Sequence, residues 1–325
     1  MLDLSDRLIV LVLAAALEAW AGYPDALFQR IGHPVSWLGA LIAALDRGLN
    51  RPAWPEAARR TAGVATVAVL LGVSVAAGLA LDGAAQAARP LGLVVSIAAV
   101  AVLIAAGSLD RHVGAVARAL DAEGLDSARR EVAKIVGRDP ATLDEAAVCR
   151  AAIESLAENA SDGVTAPAFW FLALGLPGML AYKAVNTADS MIGHRTARHG
   201  AFGWAAARLD DLVNLPASRL TGLMLVAAAA VVPGASARGA WTAMRRDAGK
   251  HTSPNAGWPE AAMAGALGLR LAGPRIYAGT RVEAAWMGDG RADATAADVH
   301  RAILLYRVAF GGTAALVGAT AVMAM

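Results

Sequence analysis

Glu154 and Glu158 stand four residues apart in the stretch ESLAENASDG, followed by Asn159 and Asp162. That spacing puts both glutamates on one face of a helix, where like charges repel slightly. A solvated helix face is the bland reading, since exposed charge pairs are worth little. Four oxygen-bearing side chains beside an apolar run suit a hard cation or a phosphate instead, because Mg²⁺ takes carboxylate and amide oxygens. A second cluster lies in residues 182–190 (YKAVNTADS), which gather Lys183, Asn186, Asp189 and Ser190. A helix would place Lys183, Asn186 and Ser190 along one side. A lone lysine there would snorkel to the interface; the density of donors and acceptors points to a site. A third cluster holds Asp210, Asp211, Asn214 and Arg219. Adjacent aspartates face different sides of a helix, so only one of them faces such a site. Residues 251–260 (HTSPNAGWPE), with Ser253, Asn255 and Glu260, are too rich in Pro, Gly and Asn for a helix. They read as a structured turn whose N–H groups could meet an anion. His33 is isolated, and its bland reading is a hydrogen-bonded structural histidine. No P-loop, Gly-x-Ser-x-Gly elbow, metal-binding His pair or dinucleotide fingerprint occurs.

These clusters must be carried by a strongly apolar chain. Of 325 residues, 57% are hydrophobic and 17% charged, and mean hydropathy is +0.49. Soluble chains average about 25% charged residues, so disorder, a basic nucleic-acid-binding domain and an ordinary cytosolic enzyme are all excluded. Lys+Arg is 29 against Asp+Glu 27, which specifies no anionic partner. The single cysteine, Cys149, excludes a disulfide framework. A spanning helix needs about 20 mostly apolar residues. Runs free of charge occupy 61–81, 90–109 and 163–182, with shorter ones at 220–237 and 308–325. An N-terminal run over 8–24 is interrupted by Glu18, which must face the bundle or an interface. The expected fold is an all-α polytopic helical membrane protein with four to six membrane segments.

One integral membrane domain over 1–325 is expected, with two polar regions. Residues 110–162 read as a soluble, cytoplasmic helical insertion. Within it, 126–136 form an amphipathic helix ended by Gly137, and the capping-box pattern Thr142-Leu-Asp-Glu145 starts a helix running toward Gly163. Residues 238–302 read as a polar, partly helical loop region. Lys and Arg concentrate in 19–60, 110–162 and 238–302, which places those regions on the cytoplasmic face of the inner membrane. If every run spans, residues 183–219 fall on the opposite side. A break at Pro177-Gly178, making 163–182 re-entrant, would return them; alternatively, 183–219 folds into the bundle and reaches the site from within.

Five stretches, in order, are residues 33–42 (HPVSWLGALI), 154–170 (ESLAENASDGVTAPAFW), 182–193 (YKAVNTADSMIG), 208–221 (RLDDLVNLPASRLT) and 253–267 (SPNAGWPEAAMAGAL). Together they resemble the CobD/CbiB family of cobalamin biosynthesis, the adenosylcobinamide-phosphate synthases. The resemblance implies a multi-pass membrane ligase with its active site toward the cytoplasm. Such an enzyme joins aminopropanol, as its O-phosphate, to a propionate carboxyl of adenosylcobyric acid, using ATP and Mg²⁺. It also implies roles. Glu158, Asp162, Asp210 and Asp211 would hold Mg²⁺, and Lys183 would meet the transferring phosphate. Glu154 or Asp189 would take a proton from the amine. His33, Asn159, Asn186, Ser190, Asn214, Arg219, Ser253, Asn255 and Glu260 would bind substrate. The implied partners are the corrinoid, aminopropanol phosphate, membrane lipid and other late pathway enzymes, with no nucleic acid. Departures from the family pattern are Leu215-Pro-Ala-Ser-Arg219, His194-Arg195, and Asp25 in a Gly22-Tyr-Pro-Asp25 context. The alternative is a corrinoid transporter or a non-catalytic membrane scaffold for the same pathway.

Overall fold

The computed structural model describes residues 2–22, 29–88, 91–137, 139–277 and 280–323, so Asp25 lies outside the described residues. In chain order the helices are α1 (Leu4–Ala21), α2 (Pro34–Leu49), α3 (Glu56–Ala87), α4 (Leu91–Leu103), α5 (Ala106–Ala122), α6 (Leu125–Val132) and α7 (Glu145–Asn159). A π-helical turn, Ala160–Thr165, joins α7 to α8 (Ala166–Ile192). There follow α9 (Trp204–Val213), α10 (Leu215–Ala228), α11 (Ala237–Asp247), α12 (Gly257–Leu267) and α13 (Ala296–Met323). Two short antiparallel pairs lie between α12 and α13: Leu271–Ala272 with Trp286–Met287, and Arg275–Tyr277 with Thr280–Val282. The protein is an all-α polytopic membrane protein. Among the described residues, four helical stretches are long and apolar enough to cross a membrane: Glu56–Ala87, Leu91–Ala122, Glu145–Ile192 and Ala296–Thr320.

The chain divides into two compact units. The first comprises Met1–Ala105, Ala166–Asn214 and Val317–Met325. Its long element is α3, whose 32 residues extend about 48 Å at the helical rise of 1.5 Å per residue. Its side chains are small enough for backbones to touch. A Cβ at Gly78 would lie 2.4 Å from the Pro177 Cα, and one at Gly63 would collide with the Phe202 carbonyl. Ile42, Leu70, Ala184 and Phe202 fill the space around these contacts. Glu18 is 5% exposed and therefore turns toward protein. Asp46 is buried too, and against that burial the Arg198 and Asn50 side chains hold its carboxyl below the usual range. This clamps the turn after α8 onto α2.

Helix α8 is broken, two residues earlier than the sequence suggested. Gly175 adopts φ 70°, ψ −159°, a conformation open to glycine. Pro177 sets the need for it, because proline has no N–H for the ladder and its ring clashes with the carbonyl four residues back. Arg7 takes up the carbonyls this exposes, donating to the Leu172 and Ala173 oxygens at 3.0 and 3.1 Å.

The second unit comprises Ala106–Thr165 and Leu215–Leu316. Its centre is α7, which is buried from Val148 to Ala157 except at the half-buried Arg150. Val113, Ile153, Leu156, Leu225, Met263 and Val299 belong to the surrounding core. Several sequence expectations change here. The amphipathic helix expected over 126–136 stops at Val132. The start of α7 is capped by Asp144, which accepts the Ala147 N–H at 2.7 Å, and not by Thr142. A short carboxylate at the N-cap satisfies that orphan donor directly. The run 220–237 does not form a spanning helix: α10 ends at Ala228. Fourteen residues rise only about 21 Å, short of the roughly 30 Å hydrocarbon core. The turn expected over 251–260 ends at Ala256, and Pro259 sits in the first turn of α12, where no intrahelical N–H is needed.

The Gly78 contact yields a test. Gly78→Val should abolish recovery of folded protein from membranes, whereas Gly72→Ala, with nothing within 4 Å of the added methyl, should keep near-normal yield and melting temperature. Both are read by size-exclusion profile in mild detergent.

Candidate functional site

The polar residues singled out from the sequence fall into two clusters, one in each unit. In the first unit, α8 and α9 interlock through two pairs spaced four residues apart. Tyr182 donates its hydroxyl to Asn214 Oδ1 at 2.9 Å, and Asn186 donates Nδ2 to Asp210 Oδ1 at 3.2 Å. As positions rise along α8 they fall along α9, so the helices run antiparallel. Spacing i, i+4 keeps both partners of each helix on the shared face. Trp170 adds a bond from its indole N–H to the Val213 carbonyl at 3.1 Å. Asp210 is 8% exposed, while Asp211 is half-buried and pairs with Arg208 at 3.5 Å. Burial, and then the charge of Asp189, push the Asp210 carboxyl up to about 7, against hydrogen bonds from Asn186 and Asn214. Lys183 and Asp189 are half-buried on the same helix as Asn186. The Ser190 hydroxyl turns back to the Asn186 carbonyl at 3.0 Å.

His33 belongs to this unit but serves the backbone. It caps α2 by accepting the Val35 N–H on Nδ1 at 3.2 Å, and its Nε2 meets the Val102 carbonyl at 3.1 Å. Burial, reinforced by the charge of Lys183 against the hydrogen bond to Val102, lowers its pKa. A neutral imidazole with Nε2 protonated satisfies both contacts. Both ring nitrogens serve the backbone, which supports the structural reading of this histidine.

In the second unit, Arg219 is the centre. Its Nη1 donates to Asn255 Oδ1 at 2.8 Å, to Ser218 Oγ at 3.0 Å and to the Leu215 carbonyl at 3.2 Å. Its guanidinium lies 4.7 Å from the ring centroid of Trp258. Ser218 also donates to Asn255 Oδ1 at 3.1 Å. The turn before α12 is built by Ser253, whose Oγ accepts the N–H groups of Asn255 and Ala256. His251 Nδ1 accepts the Ser253 N–H at 3.0 Å, and Nε2 lies 3.8 Å from buried Glu260. The outcome is a planar cation held over an aromatic face with an amide beside it, a geometry lysine could not reproduce.

Glu154 and Glu158 share a helix but not an environment. Glu154 is 6% exposed, and its Oε1 accepts the Ala272 N–H at 2.9 Å. It secures the first short strand, which argues against the proton-transfer role offered for it. Glu158 is exposed and Asp162 half-buried. Between them the helix widens: the Thr165 hydroxyl donates to the Ala160 carbonyl five residues back at 3.1 Å, and the Thr221 hydroxyl donates to Thr165 Oγ1 at 2.7 Å. Single π turns recur at functional positions because they redirect side chains within a helix. Asn159 bends its amide back to Ser155, at 2.9 Å to the carbonyl. Tyr182, Thr221 and Trp258 were missed as site residues. For Tyr182 and Trp258 the available signal was their place inside the polar stretches already singled out.

Among the described residues, no three His, Cys, Asp or Glu side chains stand together as a metal cage. The four carboxylates named from the sequence therefore do not make a preformed site. Mg²⁺ needs none when it arrives with phosphates, since it then takes one or two carboxylates and completes its shell with substrate oxygens and water. Asp210 beside Asp189, and Glu158 with Asp162, fit that more modest requirement.

Comparison with known proteins bears on what these clusters serve. The family model described as CobD/Cbib protein matches residues 11–306. The chain belongs to the CobD/CbiB family. It is 50% identical over 320 residues to a Cobalamin biosynthesis protein CobD of a Sinorhizobium species, covering 98% of each chain. It is 50% identical over 307 residues to the protein of that name from Rhizobium meliloti, covering 94% of each. With one from Rhodobacter capsulatus it shares 49% identity over 314 residues, 97% of each. No solved structure matches the chain. All five sequence stretches that carried the resemblance fall within the family match. A cobalamin-biosynthetic role follows from the family; the reaction itself does not.

The raised carboxyl of Asp210 has a signed consequence. The folded state keeps a proton that the unfolded state releases near pH 4, so stability falls as pH rises from about 4 to about 7 and then levels off. Asp210→Asn removes this slope. Its melting temperature relative to the parent should rise between pH 5.5 and pH 8, and an unchanged difference would count against a buried, raised carboxyl.

Proposed function

We propose that the protein is an adenosylcobinamide-phosphate synthase, an ATP-dependent ligase that joins aminopropanol phosphate to a propionate carboxyl of adenosylcobyric acid. Membership of the CobD/CbiB family supports the pathway. The observation that carries the chemistry is Asp210, buried against Asp189 and flanked by Asn186 and Asn214. Two acids kept close in an apolar fold are balanced best by a cation that comes with the substrate.

In this reading one propionate oxygen attacks the γ-phosphorus of ATP, and ADP leaves. The amine nitrogen then attacks the acyl carbon, phosphate leaves and the amide remains. Mg²⁺ entering with ATP would rest on Asp210, or on Glu158 and Asp162, and would neutralise phosphate charge. Lys183 supplies a further positive charge to the transferring group. Asp189 takes the proton the ammonium must lose before its nitrogen can attack. This choice over Glu154 follows from the bond that Glu154 already makes to the backbone. Arg219, oriented by Trp258 and Asn255, grips the phosphate of the amino alcohol, for which a guanidinium fork is suited. The Ser253–Asn255 turn offers partners to the corrin's amide side chains.

The test uses detergent-purified full-length protein with adenosylcobyric acid, Mg-ATP and aminopropanol phosphate, followed by mass spectrometry of the corrinoid. A mass gain equal to one amide to aminopropanol phosphate, dependent on ATP, is expected. Lys183→Met and Glu158→Gln should each lower product at least a hundredfold while the protein stays folded in the membrane. Arg219→Lys should raise KM for aminopropanol phosphate about tenfold or more and change kcat less. Product formed without ATP would overturn the phosphoryl step. A folded, corrinoid-binding protein that forms no amide would overturn the ligase reading in favour of transport or scaffolding.

A further inference from the structure

The first unit contains a groove-like cavity of about 630 Å³ that the proposed reaction does not use. Its walls come from α2, α3 and α4, with Trp37, Leu41, Ser74, Ala77, Val95 and Ala98 among the lining residues. Small side chains on α3 and α4 leave the space, and larger ones on α2 close its flank. Of these, α3 and α4 lie in the stretches apolar and long enough to cross a membrane. Val73 and Val95 line the cavity and are also 48% and 41% exposed. The cavity wall is therefore continuous with the outward apolar surface.

Water is a poor occupant. A buried water needs two to four polar partners. The polar side chains on this wall are Ser74 and Trp37. Ser74 is 3% exposed, and its hydroxyl has no hydrogen-bond partner among the described residues. The Trp37 indole N–H is already donated to the Ile31 carbonyl at 2.7 Å. A vacant space is equally unfavourable. Dry apolar cavities of only about 150 Å³ already take up benzene or xenon, because their walls lack contacts on one side. A second copy of the chain would have to insert a bulky ridge into a concave surface. The surrounding bilayer supplies a slender, flexible hydrocarbon without any such requirement.

We propose that this cavity is a lipid seat, occupied by one acyl chain of a bilayer phospholipid that wedges between α2 and the α3–α4 pair. The lipid acts as a packing element: it supplies the dispersion contacts that side chains at Ser74, Ala77 and Ala98 are too small to provide. Trp37 marks the interfacial end, as tryptophans do at headgroup level.

The experiment places the full-length protein in phosphatidylcholine nanodiscs in which a tenth of the lipid carries a diazirine on one acyl chain. After irradiation, adducts are mapped by peptide mass spectrometry. Adducts are expected on Ala77 and Ala98 in addition to the outward residues Val69, Leu79 and Leu93. Ala77→Phe, which fills the cavity, should reduce the Ala98 adduct at least tenfold and leave the Val69 and Leu93 adducts unchanged. It should also make the melting temperature less sensitive to delipidation. Should Ala77→Phe fail to fold, Ala98→Leu serves as the smaller filler, with the adduct read at Ala77. Adducts confined to the outward residues, or cavity adducts that survive both fillers, would overturn the proposal. So would protein–protein cross-links at Ala77 in place of lipid adducts, which would assign the surface to a second copy.

Discussion

A carboxylate removed from water must find hydrogen bonds or positive charge, and this constraint organises much of the fold. The chain is so apolar that its buried acids serve as fasteners between distant segments. Asp46 holds the turn containing Arg198. Glu154 holds the backbone at Ala272. Asp247 gathers Arg246, Lys250 and the Gly288 N–H, and these donors keep its carboxyl low despite burial. Asp298 caps α13 through the Thr295 N–H while pairing with Arg291 and Arg301. Asp210 departs from this pattern. Its nearest charges are other acids, and only neutral amides serve it. That contrast separates acids that fasten distant segments from one whose burial is met by amides alone.

Much of the architecture was legible in composition. Runs without charge at 61–81 and 90–109 mark the parts of α3 and α4 that no soluble fold would tolerate, and helices are found there. The failures have local causes. Apolarity over 220–237 does not make a helix of that length, because Pro233 and Gly234 end the pattern and the chain turns after Ala228. The strands near 271–287 carry no recognisable alternation, being two or three residues long. The two-unit organisation draws on segments far apart in the chain, which local periodicity cannot reveal.

The site was legible as a list of residues and illegible as an arrangement. Reading Asp210 and Asp211 as facing different sides requires only helix geometry; in the structure Asp210 is buried and Asp211 half-buried. Nothing in the spacing of Glu154 and Glu158 announces that one is bound to a strand 118 residues later. His33, carried along with a motif, caps a helix, which only the backbone around it reveals. The π turn at Ala160–Thr165 could not be inferred either, since an extra residue in a helical turn is set by the Thr165 and Thr221 hydroxyls, which come from different helices.

The break at Gly175 also bears on the order in which the protein is made. Arg7 is bound to carbonyls that exist only because α8 is interrupted, and 165 residues separate it from the first of them. Helix α1 is synthesised before α8, yet it cannot complete its docking until the chain beyond residue 173 has emerged. Until then the Arg7 guanidinium lacks these two acceptors, so a helix made before α8 completes its packing only after it. The first unit thus closes around its own beginning.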